Sequence, residues 1–211
     1  FTGMVPSGAH LRISKGAIRF NALSPNGEHV AIASSITVCS YRVVDSREGW
    51  CNTTGEMSNG MIQSLAFDPK GKTIVTGLQN GDIILWDASR GNQTRIIRTG
   101  LMLISNPTWS PDGQKLAYAT GDQSAQGFIR IWNSSDGSEL PQIMVGDNPV
   151  DVISWSPDGR ALAAGDNSGQ ITILDASSAN SLVAVHPFPK QHEVSSLVWS
   201  SDSALLLASS I

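Results

Sequence analysis

The pentapeptide Trp-Ser-Pro-Asp-Gly occurs twice in this chain of 211 residues, at 109–113 and at 155–159. Three related turn sequences flank the two copies at similar spacing, and the residues that open the five turns are Ser24, Asp68, Ser110, Ser156 and Ser200. Successive turns are 44, 42, 46 and 44 residues apart. A period in the low forties is typical of repeat proteins, in which each unit buries its apolar surface against its neighbours. The repeat therefore constrains the fold more than any other feature of the chain.

Each repeat is predicted to be four short β-strands. In residues 61–99 the predicted strands are 62–67, 73–77, 83–87 and 94–98. Pro69-Lys70-Gly71 supplies one separating turn, and Asn80-Gly81 is a strong hairpin signal for the next. No segment keeps a 3.6-residue apolar period long enough for a helix. The chain is therefore predicted to be all-β, a β-propeller of four-stranded antiparallel blades.

The ends of the third strands carry a family resemblance. Trp86-Asp87, after Ile83-Ile84-Leu85, resembles the dipeptide that gives WD-repeat proteins their name. Trp132-Asn133 is a near match, and Asp175 keeps only the second residue. The resemblance implies structural WD-type positions at Trp86, Asp87, Trp132, Asn133 and Asp175. It also implies a non-catalytic scaffold that binds a protein or peptide partner.

The chain departs from the WD pattern in two respects. The Gly-His pair that often precedes the first strand of WD blades is absent, and Asn80, Gln126 and Ser168 stand where the family has a buried Asp. We therefore expect the polar network of regular WD blades to be mostly absent, with stability from apolar packing. Residues 106–118, NPTWSPDGQKLAY, also resemble TolB-type blades. That alternative implies an envelope partner-binding module or a non-catalytic domain of a hydrolase.

WD-repeat relatives usually bind partners on the top face, where the loops between repeats and the second hairpins meet. The partner-binding positions that this placement predicts are Met61, Asn80, Met102, Asp122, Asp147, Asn148, Asp166, Asn167, His192 and Glu193. The set is acidic and contains two methionines. A partner with a basic segment is therefore expected.

The repeats indicate one propeller segment over residues 1–211, with about four full blades and partial blades at both ends. A first strand is predicted at His10–Ser14, and the last repeat stops after its second strand. We expect a fragment of a longer protein with a seven-bladed ring. A small closed ring of five blades is the alternative.

Composition and motifs favour a protein that is not an enzyme. The chain has 18 acidic and 14 basic residues, a net charge of −4, so nothing favours nucleic-acid binding. No run approaches the roughly 18 apolar residues of a membrane span. The four histidines are scattered, so we expect no metal and no cofactor. Gly71-Lys72-Thr73 lacks the earlier glycine of a phosphate-binding loop, and Asp112 and Asp158 are assigned to turns.

Three local features are left open by the sequence. Cys39 and Cys51 form either one bridge or two free thiols, and free thiols are favoured, in line with an expected cytoplasmic location. Trp50 lies in the irregular stretch 46–59, as a partner contact or part of a loose insertion. Glycosylation sequons begin at Asn52, Asn92 and Asn133, at a frequency near chance.

Overall fold

The computed structural model describes residues 18–55, 60–100, 104–121, 126–178, 180–188 and 192–211. These residues form eighteen β-strands and no helix. Within them no helix is long and apolar enough to cross a membrane. The all-β prediction is confirmed.

The strands form four antiparallel sheets of four strands and one sheet of two, and neighbours in sequence are neighbours in each sheet. Blade 1 contains β1 (Phe20–Leu23), β2 (His29–Ala33), β3 (Thr37–Arg42) and β4 (Glu48–Thr53). Blade 2 contains β5 (Ile62–Phe67), β6 (Thr73–Leu78), β7 (Asp82–Asp87) and β8 (Gln93–Arg98). Blade 3 contains β9 (Ile104–Trp109), β10 (Lys115–Gly121), β11 (Gly127–Asn133) and β12 (Ile143–Gly146). Blade 4 contains β13 (Val150–Trp155), β14 (Ala161–Asp166), β15 (Ile171–Asp175) and β16 (Ser181–Val185). Blade 5 contains β17 (Val194–Trp199) and β18 (Leu206–Ser210).

The four-stranded meander predicted for each repeat is therefore confirmed. The predicted strand at His10–Ser14 lies outside the described residues. Among the described residues the sheets do not close into a ring, since each buried core cluster that spans two blades joins consecutive ones and none joins blade 5 to blade 1. The number of blades in a closed ring stays a prediction.

The repeated turn between the first and second strands of each blade is stabilised by the side chain of its first residue. In blade 4 the Ser156 hydroxyl donates to Asp158 Oδ1 at 2.6 Å and accepts the Ala161 amide at 2.9 Å. Asp68 replaces the serine in blade 2, and its Oδ1 accepts the amides of Lys72 and Thr73. Either side chain satisfies backbone donors that the sheet leaves unpaired, which explains why both occur at this position.

Consecutive turns also contact one another across blades. Gly159 has a φ of +71°, and a Cβ there would lie 3.7 Å from Pro111 Cδ of the preceding turn. Ser203 takes this position in blade 5 with a φ of 61°, and its hydroxyl accepts the Asp158 amide at 3.1 Å. In blades 2, 3 and 4 the turn glycine therefore lies against the proline of the preceding turn and serves the contact between blades as well as the turn.

Apolar packing joins each blade to the next. One position of each second strand faces the following blade and is fully buried in four repeats, at Ala31, Val75, Ala117 and Ala163. Leu207 holds this position in blade 5 and is 72% exposed. The third strand of blade 2 is buried at its four central residues, Ile83–Trp86, as expected for a sheet covered on both sides.

One hydrogen bond of the polar network that regular WD blades contain is present in blade 2. Trp86 is fully buried, and its Nε1 donates to Thr76 Oγ1 on the neighbouring strand at 3.0 Å. Blade 4 has a buried Asp in its second hairpin, Asp166, two residues before the expected Ser168 position. Blade 2 thus has the tryptophan hydrogen bond, and blade 4 has the buried aspartate.

Two expectations about blade 1 are wrong. Cys39 and Cys51 form a disulfide instead of two free thiols, because they are directly opposite each other in the β3–β4 ladder with their Cα atoms 4.1 Å apart. The stretch around Trp50 is not irregular, since Glu48–Thr53 is the outer strand β4. Strand signals are weak in this segment because an outer strand buries little apolar surface.

The buried turn serine should contribute measurably to stability. Ser156→Ala removes the acceptor of the Ala161 amide at a site where Ser156 is only 1% exposed. We expect the free energy of unfolding to fall by about 1–2 kcal/mol. Urea denaturation of the whole chain measures it.

Ser200→Ala is the matched control, because Ser200 makes the same two bonds, to Asp202 and from Leu205, in a more exposed turn. Water replaces the lost bonds there, so we expect a loss below about 0.5 kcal/mol. Equal losses in the two variants would contradict the argument from burial.

Candidate functional site

The loops between blades and the second hairpins meet on one face, as the placement of the predicted top face requires. In blade 2 the Gln79 amide donates to Met61 O at 2.8 Å. In blade 4 the Asn167 amide donates to Pro149 O at 3.3 Å. Each inner strand therefore begins beside the second hairpin of its own blade, and we call this edge of the blades the top face.

The predicted site residues differ in exposure. Asn80, Asp147, Asn167, His192 and Glu193 are exposed, Met61 and Asn148 are half-buried, and Asp166 is buried. Met102 and Asp122 lie outside the described residues. The structure places Met61 beside Asn80 at blade 2, and Asp166 and Glu193 near the junction of blades 4 and 5. Asp147 and Asn148 lie on the loop between β12 of blade 3 and β13 of blade 4.

The blade 2 group is small and not purely acidic. Met61 and Asn80 lie on adjacent loops, since a Cβ on Gly60 would lie 2.8 Å from the Asn80 amide nitrogen. Arg19 Nη1 donates to Met61 Sδ at 3.4 Å. Arg19 thus places a cation on the top face that the predicted set did not include.

Three carboxylates meet between blades 4 and 5. Asp151, on β13, is half-buried, and this burial together with the negative charges of Glu193 and Asp166 raises its pKa to about 6. Burial and the two neighbouring negative charges therefore determine the direction of the Asp151 pKa shift. We call Asp151, Asp166 and Glu193 the acidic cluster.

Asp151 was not among the predicted site residues. It lies within a strand, in Val150-Asp151-Val152, where the alternation of apolar and polar residues accounts for it without a functional role. The only sequence signal for a role of Asp151 was a carboxylate at the second position of an inner strand. Its neighbours Asp166 and Glu193 are 15 and 42 residues away in sequence, and only the packing of blades brings them close.

Asp166 is a buried member of the cluster with a structural role. Its Oδ1 accepts the amides of Ser168 and Gln170, both at 2.9 Å, and the Ser168 hydroxyl at 2.8 Å. A carboxylate held in this way adds negative potential to the face. Glu193 and Asp147 are the exposed carboxylates near it.

The inner strands of all five blades line one central cavity of about 330 Å³. Its lining is uncharged and includes Asn21, Ser64, Thr108, Ser195 and Ser196. No three His, Cys, Asp or Glu side chains are placed to hold a metal ion within the part of the chain that the structure describes. The cavity therefore offers hydroxyl and amide groups without a charged or metal-binding centre among these residues.

The WD-type positions form equivalent turns in three blades. Asp87 Oδ1 accepts the amides of Ser89 and Arg90, and these bonds, with the Ser89 hydroxyl, lower its pKa. Asn133 Oδ1 accepts the Ser135 amide at 3.1 Å, and Asp175 Oδ1 accepts those of Ser177 and Ser178. All three residues fold the turn between the third and fourth strands.

The aromatic partners at these positions bury against the neighbouring blade. Trp132 stacks under Arg95 of blade 2, with the guanidinium carbon 5.2 Å from the ring centre. Leu174, 2% exposed, replaces the tryptophan in blade 4. Blades 2, 3 and 4 therefore retain a fixed turn and a buried apolar residue, even in blade 4 where the dipeptide itself is lost.

Two family models match the chain. The model of the WD domain, G-beta repeat, matches residues 49–87, and that of the anaphase-promoting complex subunit 4 WD40 domain matches residues 130–202. Both models describe WD repeats, so the chain is similar to WD-repeat proteins over these two segments. The first match runs from β4 of blade 1 to Trp86-Asp87, so a WD repeat in sequence combines the outer strand of one blade with three strands of the next. No curated protein sequence matches the chain.

The acidic cluster should make stability depend on pH. The Asp151 pKa is about 6 in the folded protein against an ordinary value of 3.8, so between these values the folded state holds a proton that the unfolded state releases. Stability therefore falls as the pH rises from about 4 to 6. We expect Asp151→Asn to reduce this fall and to raise the melting temperature at pH 7.

Thermal melting from pH 4 to 7 measures both effects. Asp158→Asn is the matched control, because the bond from Ser156 lowers the pKa of Asp158 and its stabilising effect is lost only as the pH falls below that range. A fall of unchanged steepness in the Asp151→Asn protein would show that another group is responsible.

Proposed function

We propose that this WD-repeat chain is a non-catalytic protein-interaction scaffold that binds a basic segment of a partner protein on its top face, beside blades 4 and 5. WD40 domains generally act as protein-interaction scaffolds. One of the two matching families is named for a subunit of the anaphase-promoting complex, which places that relative in a multisubunit assembly. The general role therefore rests on the family, and the choice of surface rests on the acidic cluster.

The placement of Asp151, Asp166 and Glu193 where β17 packs on β13 is the observation that carries the choice of surface, and the raised pKa of Asp151 supports it. Three carboxylates close enough to shift the pKa of one of them create a region of negative potential. Exposed Asp147 lies on the loop that leads into β13, which carries Asp151. A Lys or Arg side chain placed there relieves repulsion already present in the free protein, so it binds more favourably than at an isolated carboxylate.

The same geometry predicts that binding depends on pH. A bound cation favours the charged form of Asp151, so binding releases a proton near pH 6. Affinity should therefore rise as the pH increases through 6. Binding by shape or apolar contact alone would not show this rise.

Binding of a fluorescent Lys- and Arg-rich peptide, followed by anisotropy, tests the surface. We expect Glu193→Gln and Asp147→Asn each to weaken binding about threefold at low salt, and an acidic peptide of equal length not to bind. Asp151→Asn should remove the rise in affinity near pH 6.

Asp202→Asn provides a charge-matched control. Asp202 lies in the turn between β17 and β18, at the opposite ends of the blades, and Asn keeps an acceptor for the Ser200 hydroxyl. It should leave affinity unchanged. Equal weakening by Asp202→Asn and Glu193→Gln would mean general attraction to an acidic protein, and would contradict a site on the top face.

A further inference from the structure

The outer strand of blade 1 holds blade 2 through a tryptophan. Trp50, on β4, stacks on Trp86 of blade 2 with ring centres 6.4 Å apart and an angle of 18° between the rings. Its Nε1 donates to Ala88 O at 2.9 Å. Gly91 lies directly against the ring, since a Cβ there would be 2.3 Å from Trp50 Cδ2. Trp50 therefore fits closely into a recess of the next blade.

Polar contacts on the same strand continue this attachment. Asn52 Nδ2 donates to Gly91 O at 2.8 Å, and Gln93 Nε2 of blade 2 donates to Thr53 O at 3.2 Å. We call Trp50, Asn52 and Thr53, with their partners in blade 2, the blade clamp. All of its blade 1 members lie within four residues of one strand.

The strand that carries the clamp has little else to hold it in blade 1. β4 is the last strand of its sheet, pairs only with β3, and is mostly exposed. The ladder is irregular between Ser40 and Tyr41. Edge strands held by one ladder open more readily than central ones. The position of β4 therefore depends strongly on whatever else ties it to β3.

The Cys39–Cys51 disulfide is that tie. Cys51 neighbours Trp50 and points to the other side of the sheet, where it packs with Cys39, Val30, Ile32 and Tyr41. Cys39 is on the central strand β3 and is 4% exposed. The disulfide therefore fixes the clamp strand to a buried strand of its own blade.

We propose that the Cys39–Cys51 disulfide is a redox-sensitive latch that controls the contact between blades 1 and 2 through β4. In the oxidised form β4 is held in register and the clamp is closed. In the reduced form β4 keeps its backbone ladder, the Tyr41–Glu48 hydrogen bond and the clamp contacts, but the covalent link to β3 is lost. The clamp then opens more often, although both cysteines lie in strands of blade 1.

The chemical step is thiol–disulfide exchange with a dithiol reductant. A thiolate of the reductant attacks Sγ of Cys51, the less buried cysteine, and the Cys39 sulfur leaves as a thiolate that takes up a proton. The second thiol of the reductant then displaces Cys51. The protein gains two thiols and the reductant becomes a disulfide, so electrons and protons balance.

Opening of the clamp also changes a groove between the two blades. The groove has a volume of about 570 Å³, with Gly49 and Trp50 of β4 on one side and Phe67 and Pro69 of blade 2 on the other. Because β4 forms one wall, the redox state sets the shape of the groove. The latch thereby links thiol chemistry to a surface between blades.

Amide hydrogen exchange on the whole chain, oxidised and then treated with dithiothreitol, tests the latch. We expect exchange to become roughly tenfold faster on reduction in two segments, β4 (Glu48–Thr53) and residues 88–91 of blade 2. The outer strand of blade 4, β16 (Ser181–Val185), has no cysteine and should not change. A thiol titration before reduction should find no free thiol.

Two variants distinguish a disulfide that controls the contact between blades 1 and 2 from one that stabilises β4 alone. Cys39→Ala/Cys51→Ala should show the fast exchange in both segments without reductant and no response to it. Trp50→Phe keeps the disulfide and loses the bond to Ala88 O, so residues 88–91 should exchange faster in the oxidised protein and respond less to reduction.

Three results would overturn the proposal. They are two titratable thiols in the oxidised protein, unchanged exchange on reduction, and acceleration confined to β4 with residues 88–91 unaffected. If the double alanine variant does not fold, reduction of the unsubstituted chain and the Trp50→Phe protein still decide between these results.

Discussion

The structure depends on the packing of one blade face against the next. A four-stranded sheet of six-residue strands buries too little surface to be stable alone, and here each sheet is covered by the neighbouring repeat. That contact recurs in four blades, where the equivalent position of the second strand is fully buried, at Ala31, Val75, Ala117 and Ala163. At the same position Leu207 is exposed, because no sheet covers it among the described residues. Burial at this position is thus decided by the neighbouring blade.

Polar and aromatic contacts at the blade edges join consecutive blades in addition to the apolar packing. Trp50 of blade 1 packs on Trp86 of blade 2, and Arg95 of blade 2 packs on Trp132 of blade 3. In each case an outer strand reaches the last residues of a third strand in the following blade. The matched WD repeat, residues 49–87, contains the first of these pairs within one sequence unit. The sequence repeat therefore corresponds to a contact between blades as much as to a blade.

The candidate site follows from the same contacts. Glu193 begins blade 5, Asp151 and Asp166 belong to blade 4, and the packing of β17 against β13 brings their charges together. No single repeat contains the acidic cluster. A surface of this kind exists only when consecutive blades are stacked, so the acidic cluster depends on the integrity of the propeller.

The sequence by itself determined the repeat, the strands and the turns. Turn residues such as Ser156, Asp158 and Gly159 act within a few residues, so their pattern can be read locally, and the apolar run at 83–86 already indicates a sheet covered on both sides. Had β4 been predicted as a strand, its register with β3 would have placed Cys51 opposite Cys39. The strand signal of β4 was too weak for that prediction. Only the tertiary structure decided the disulfide, the role of Trp50, and the meeting of Asp151 with Asp166 and Glu193. These features depend on strand register and on the stacking of blades, which bring together residues whose separation in sequence carries no local pattern.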